Sequence, residues 1–198
     1  MKKIFKTFLM LLIASLVSAQ DLKVPSQGKS LVYFTRYDAA GFLINFKYFD
    51  GDKYLGKFNH GKYLIYECEP GNHVFWAKSE NIDFIDANLK ADKTYIIDSK
   101  PQMGAIKAGV KLVVFNKQLN NYDRYKKRIF KSLENGKPYV SNEQEIKKDE
   151  EELKELIIKG LEKFNKLKLN KESSKIEFIL PEMYYEKTYF KVKDLTNK

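Results

Sequence analysis

The chain has few of the residues that most often carry catalysis, metal binding or covalent cross-links. Its 198 residues include one cysteine, Cys68, two histidines and five prolines. A single cysteine excludes an intramolecular disulfide, and a protein zinc site needs at least three convergent ligands. We therefore expect no metal and no cofactor, and we expect an apolar core to stabilise the fold.

Extended apolar runs are also absent beyond the N-terminus. Three lysines among the first six residues precede the apolar residues 8–17, and Ser18 and Ala19 follow. This order is typical of a secretory signal peptide, here residues 1–19, and the run is shorter than the roughly 20 residues of a membrane-spanning helix. An uncleaved anchor is the alternative. We expect an exported protein, periplasmic or extracellular, with no transmembrane span after cleavage.

The charge is basic but not clustered. The formal net charge is +10, and residues 117–198 hold 20 Lys and Arg against 15 Asp and Glu. A basic balance usually favours nucleic acid. Export argues against that partner, so we expect an envelope protein, an anionic envelope surface or a glycan instead.

From residue 30 the chain is divided into short aromatic and β-branched segments separated by turn residues. Asp50-Gly51 predicts a tight hairpin, with residues 42–49 before it and 53–58 after it as strands. No helical pattern separates the segments. The spacing predicts an antiparallel β-sandwich of seven to eight strands over residues 29–116.

Residues 117–198 form a different, helical C-terminal extension. Helices are predicted at about 121–133 and 142–169, followed by short strands or an extended tail at 176–180 and 187–192. The second helix has one apolar stripe, from Leu153 to Leu167. Packing of this stripe on the strands and assembly with another chain are both possible, and the oligomeric state is left open.

The first half resembles the DUF2846 family, a bacterial exported domain of unknown function, over about residues 29–116. Residues 31–36 are similar to its opening strand ending in Arg, and residues 49–58 to its "vdGkkiGel" hairpin. Residues 61–63 are similar to "nGsY", 70–73 to "PGkH", and 93–95 to "GktYY", although Asp92 and Ile96 depart from that last pattern. The resemblance implies a β-sandwich and export, and it supplies no catalytic residues.

Four side chains are candidates for a binding surface. Arg36 ends an apolar strand, so it is expected either to recognise an acidic ligand or to pair with a carboxylate. Trp76 lies next to Phe75 on the opposite face of a strand, so it is expected either to stack on a glycan or to pack in the core. His60 and His73 lie at turns before strands. We identify no catalytic or metal-binding residue.

These observations favour a non-catalytic exported module of the cell envelope, with a binding or structural role and an unknown ligand. Two alternatives remain: a hydrolase with its site between the strands and the C-terminal segment, and an adaptor or oligomerisation protein using the long helix.

Overall fold

The computed structural model describes residues 22–103, 108–170 and 172–185. Within these ranges the chain forms ten strands and two α-helices. In chain order they are β1 Ser30–Thr35, β2 Phe46–Asp50, β3 Lys53–Phe58, β4 Lys62–Cys68, β5 Gly71–Lys78, β6 Ile82–Leu89, β7 Lys93–Met103, β8 Ala108–Val114, α1 Tyr122–Asn135, β9 Lys137–Pro138, α2 Glu143–Leu169 and β10 Glu177–Ile179.

The strands form two sheets of five strands each. The first sheet has the order β8-β7-β1-β4-β9, and the second has the order β10-β6-β5-β2-β3. The prediction of a mainly β fold with two helices is confirmed. The prediction that the sheets are antiparallel is wrong, because β1 pairs in parallel with β7, β4 with β9, and β6 with β10.

The parallel pairs come from long-range returns of the chain. After β1 the chain passes through both sheets before β7 lies beside β1, and β9 and β10 belong to the C-terminal segment. Parallel neighbours need such long connections, whereas local hairpins give antiparallel neighbours. Turn residues indicate hairpins but not these distant partners, so the error has a physical cause.

The two sheets pack against each other around an aromatic core. The ring of Phe34 on β1 lies 5.5 Å from the rings of Tyr48 on β2 and Phe75 on β5. Alternate residues of β1, Leu31 and Tyr33, point the other way into a second cluster. All six residues of β1 are buried because both faces of its sheet are covered.

The two helices cover the outer faces of the sheets. Helix α1 packs on the first sheet through residues such as Tyr125 and Ile129. Helix α2 packs on the second sheet, where Ile157 and Phe164 of the predicted stripe join the cluster around Trp76. The stripe therefore docks within the chain, and the face required by the assembly alternative is occupied.

Side chains at the start of β6 and immediately before it cap the outer edge of β8. The Asn81 amide accepts a hydrogen bond from the Val110 backbone N–H at 2.6 Å and donates one to the Val110 carbonyl at 2.9 Å. The Asp83 carboxylate accepts one from the Leu112 N–H at 2.7 Å. These bonds satisfy backbone groups that an exposed edge strand would leave open to pairing.

Two predicted segments differ from the structure. The strand predicted at 42–49 begins only at Phe46, and residues 42–45 lie in an exposed loop. The strand predicted at 176–180 is Glu177–Ile179. The segment at 187–192 and the signal peptide at 1–19 lie outside the described residues. None of the helices that the structure describes combines the length and hydropathy needed to cross a bilayer.

Candidate functional site

Trp76 does not lie on the surface. Its side chain is completely buried and stacks on Phe49, with the ring centroids 3.7 Å apart. Its indole N–H donates to the Gly51 carbonyl at 2.8 Å. Helix α2 covers the face of β5 opposite Phe75, so Trp76 is a core residue. The prediction that Trp76 could stack on a glycan is therefore wrong.

His73 is held in a polar cluster at the β4–β5 turn. Its Nδ1 lies 2.8 Å from a carboxylate oxygen of Asp50, and its Nε2 lies 2.8 Å from the Glu69 carbonyl oxygen. Burial lowers the pKa of His73, but hydrogen bonds to Asp50 and Cys68 and the nearby carboxylate charge outweigh it and raise the pKa to about 10. Tyr66 donates to the same Asp50 oxygen at 3.0 Å.

This cluster is better suited to structure than to catalysis. Both ring nitrogens of His73 are engaged, one by a carboxylate and one by a carbonyl, so the imidazole is poorly placed to act as a general base. The cluster links β2, β4 and β5. Sequence reasoning found His73 but not its partner, because Asp50 is 23 residues away in the chain.

Arg36 is also buried, and it organises the loop that follows β1. Its guanidinium donates to the carbonyls of Gly41, at 2.7 Å, and of Ile44. It also lies over the Phe46 ring, 3.9 Å from the centroid. Burial lowers the pKa of Arg36, but its high starting value keeps it charged. Arg36 therefore does not present its charge to a ligand, and it shapes the β1–β2 loop (residues 36–45).

A buried carboxylate lies beside the base of this loop. Asp98 on β7 is completely buried and accepts hydrogen bonds from Thr35 Oγ1 at 2.9 Å and from the Tyr125 hydroxyl at 2.7 Å. Burial raises the pKa of Asp98 to about 6, although these hydrogen bonds lower it. The bond to Tyr125 ties α1 to the first sheet. Sequence reasoning did not single out either residue.

The hydrogen bond between Tyr125 and Asp98 holds α1 where it borders a groove. This groove lies between the β1–β2 loop, the β3–β4 turn and α1, and it is here called the α1 groove. Its volume is about 510 Å³. Its walls come from three separate parts of the chain and contain the candidate His60: Tyr37, Asp38, Ala39, His60, Gly61, Arg128, Lys131, Ser132, Asn135 and Gly136.

The helical wall of the groove carries cations and neutral polar groups on one face. Arg128, Lys131, Ser132 and Asn135 are spaced i, i+3, i+4 and i+7, so they share a side of α1. Gly136 follows these residues in the lining. A side chain does not fit at this position, because a Cβ there would lie 2.4 Å from the Ser132 carbonyl oxygen. The spacing of Arg128 and Lys131 is visible in the sequence and was the signal that could have identified them.

The opposite wall is aromatic and weakly acidic. The Tyr37 ring meets the Tyr125 ring edge to face, with centroids 5.4 Å apart, and Arg128 lies 5.9 Å from the Tyr37 centroid. Asp38 is the only carboxylate among the lining residues, and its Oδ1 accepts a hydrogen bond from the Ala40 N–H at 2.9 Å. Two cations face one carboxylate, so the groove favours an anion.

His60 lines the same groove as these cations and has a polar atom without a partner. Its Nδ1 is buried and has no hydrogen-bond partner among the described residues. A buried polar atom without a partner is costly, so the fold carries an unmet hydrogen bond in a residue that lines the α1 groove. Of the four candidates from the sequence, His60 alone lines the groove, and Arg36 holds the loop that forms one of its walls.

A second groove, of about 630 Å³, lies between the segment before α1 and the chain near β10. Its lining includes Leu119, Phe178 and Met183, and Glu177 is the only charged residue among those that form it. It lacks the convergent cations of the α1 groove, so we take the α1 groove as the candidate site.

Neither a metal centre nor a known relative identifies the chemistry. In the part of the chain that the structure describes, no three His, Cys, Asp or Glu side chains are grouped to hold a metal ion. Comparison with protein-family models, with curated proteins and with solved structures finds no match to this chain. The resemblance to DUF2846 is thus neither supported nor contradicted, and the candidate site rests on its geometry.

Proposed function

We propose that this protein is a non-catalytic exported binding module, and that the α1 groove binds an acidic saccharide. The observation that carries the proposal is the convergence of Arg128 and Lys131 with the unpartnered Nδ1 of His60 in one groove. Cations recognise a carboxylate by charge-assisted hydrogen bonds. Tyr37 and Asn135 add an aromatic surface and an amide of the kinds that orient a sugar.

Binding is favoured over hydrolysis by the arrangement of carboxylates. A glycosidase uses two carboxyl groups that flank the scissile bond. Asp38 is the only carboxylate among the residues that line the groove. Asp98 has the raised pKa of a catalytic acid, but it is completely buried and hydrogen-bonded to Thr35 and Tyr125. We therefore do not propose an enzymatic function.

The exported location belongs to the same proposal. It is supported by the basic, apolar and small-residue pattern of residues 1–19. An acidic glycan of the cell envelope fits that location and the basic balance of the chain.

Calorimetric titration of the full chain tests the groove. The probes are a tetrasaccharide of alternating glucuronate and N-acetylglucosamine, the neutral N-acetylglucosamine tetrasaccharide, and inorganic phosphate. We expect binding of the acidic tetrasaccharide, and we expect R128Q/K131Q to weaken it by about tenfold or more.

The matched control is R124Q/K127Q, which removes the same charge from exposed positions of α1 that do not line the groove. It is expected to bind like the unmodified chain at physiological ionic strength. Equal losses in the two double variants, or equal binding of the neutral tetrasaccharide, would contradict a specific site.

A further inference from the structure

The β1–β2 loop ends in an exposed apolar tip formed by Phe42, Leu43 and Ile44. These side chains are 58%, 73% and 38% exposed. The other large apolar side chains exposed among the described residues do not form a run of three neighbours. Scattered exposed apolar residues are common, but a contiguous group on a projecting loop indicates an interaction site.

Part of the backbone at this tip is hydrogen-bonded within the protein. The Ile44 N–H donates to the Gly41 carbonyl at 2.9 Å, which closes a turn with Phe42 and Leu43 at its centre. The carbonyls of Gly41 and Ile44 also accept from the buried Arg36 guanidinium. A tip with these bonds already made loses less on entering an apolar medium, where unsatisfied backbone groups are costly.

Cations lie on both sides of the loop. Its first limb, Tyr37 to Ala39, forms a wall of the α1 groove opposite Arg128 and Lys131. Its second limb leads into Lys47, which is at most roughly 10 Å along the chain from Ile44. The loop thus combines a small apolar tip with flanking positive charge.

Lys47 is part of a row of lysines across the second sheet. It pairs in register with Lys57 on β3 and Lys78 on β5. Its neighbours Phe46 and Tyr48 point into the core, so Lys47 points outward. Asp149 offsets part of this charge through its ion pair with Lys57 at 2.9 Å.

We propose that Phe42, Leu43 and Ile44 insert into the interfacial region of an anionic phospholipid bilayer, with the flanking cations facing the headgroups. Three side chains offer far less area than the roughly 800 Å² that each partner contributes to a stable protein interface. Shallow apolar insertion with electrostatic attraction to anionic lipid is the usual mode of peripheral membrane binding. This inference shares Arg128 and Lys131 with the α1 groove, but the three inserting side chains do not line that groove.

A fluorescent label at the tip tests the insertion directly. In the full chain, C68A removes the one native thiol, and L43C then carries an environment-sensitive fluorophore at an exposed position. Vesicles of phosphatidylglycerol and phosphatidylcholine are expected to shift its emission to shorter wavelength, whereas vesicles of phosphatidylcholine alone are not. Adding F42S is expected to raise the lipid concentration for a half-maximal shift by about tenfold or more.

The control is the same label at N88C. Asn88 is exposed and lies near the C-terminal end of β6, whereas the β1–β2 loop leads into β2 near the other end of that strand. This label reports binding that does not involve the tip. The proposal is overturned if the label at residue 43 does not respond, responds as the label at residue 88 does, or responds equally to both kinds of vesicle. A response to envelope proteins but not to vesicles would identify a protein partner and would also overturn it. Saccharide binding in the α1 groove can be retained in each case, so the two proposals fail separately.

Discussion

The guanidinium of Arg36 lies 3.9 Å above the centroid of the Phe46 ring, and both side chains are completely buried. This contact joins the end of β1 in the first sheet to the start of β2 in the second sheet. The same guanidinium holds the carbonyls of Gly41 and Ile44. The shape of the β1–β2 loop, and with it one wall of the α1 groove, thus depends on one buried cation.

Replacement of Arg36 is expected to destabilise the fold. R36M removes the donors to the carbonyls of Gly41 and Ile44, and we expect the free energy of unfolding to fall by about 2–4 kcal/mol. Urea unfolding measures this difference. R128M is the control, because its exposed guanidinium makes a change within about 0.5 kcal/mol the expected result. A small effect of R36M would show that the loop does not depend on Arg36.

The contact between Gly160 and Trp76 gives a second prediction. A Cβ at residue 160 would lie 2.9 Å from Trp76 Cη2, in a fully buried cluster. G160V is expected to lower the free energy of unfolding by about 2–4 kcal/mol through overpacking, whereas K159A on the exposed side of α2 is expected to have little effect. Trp76 is the only tryptophan, so its fluorescence reports directly on the docking of α2. An unchanged spectrum and stability in G160V would contradict this packing.

Because the pKa of Asp98 is raised, we expect its contribution to the free energy of unfolding to increase as the pH falls. Its pKa is raised to about 6 in the folded chain from an ordinary value of 3.8, so between these values the folded state binds more protons than the unfolded state. The free energy of unfolding therefore gains a contribution as the pH falls through 6 toward 4, with a slope of at most about 1.4 kcal/mol per pH unit.

The variant D98N isolates this contribution from those of other carboxylates. Subtracting its urea-unfolding curve across pH 4–7 from that of the unmodified chain should leave the slope due to Asp98. A flat difference over this range would show that the pKa of Asp98 is not raised.

Because the pKa of His73 is raised, we expect its contribution to the free energy of unfolding to be lost at high pH. Its pKa is raised from 6.5 to about 10, so the contribution is complete below about pH 6.5 and is lost as the pH rises through 10. The expected slope between these values is at most about 1.4 kcal/mol per pH unit. Both H73Q and D50N should flatten it, because each removes one member of the pair. A slope retained in both variants would assign it to other groups.

Local patterns predicted much of the strand segment, and distant contacts account for the errors. Asp50-Gly51 indicated the hairpin, and the return strand is Lys53–Phe58 as predicted, because turn chemistry depends on neighbouring residues. Phe42 to Ile44 resembled the start of a strand in composition. They form a turn instead, because the side chain of Arg36 holds the carbonyls of Gly41 and Ile44 and no propensity encodes that contact.

The candidate site was less predictable for the same reason. Alternation along β5 correctly separated the faces of Phe75 and Trp76, but only the docking of α2 makes the second face a core. His60 was chosen for its residue type. Arg128 and Lys131 looked like ordinary charges on a helix until α1 placed them opposite Tyr37 and Asp38.

The most direct test of the central claim is an NMR titration of the full chain with the acidic tetrasaccharide. If the α1 groove binds it, the backbone amides of Gly61, Ser132 and Asn135 and the imidazole of His60 should shift together and reach saturation, and these shifts should be lost in R128Q/K131Q. Shifts concentrated at Leu119 and Phe178 in the second groove, or no saturable shifts at any site, would contradict the account.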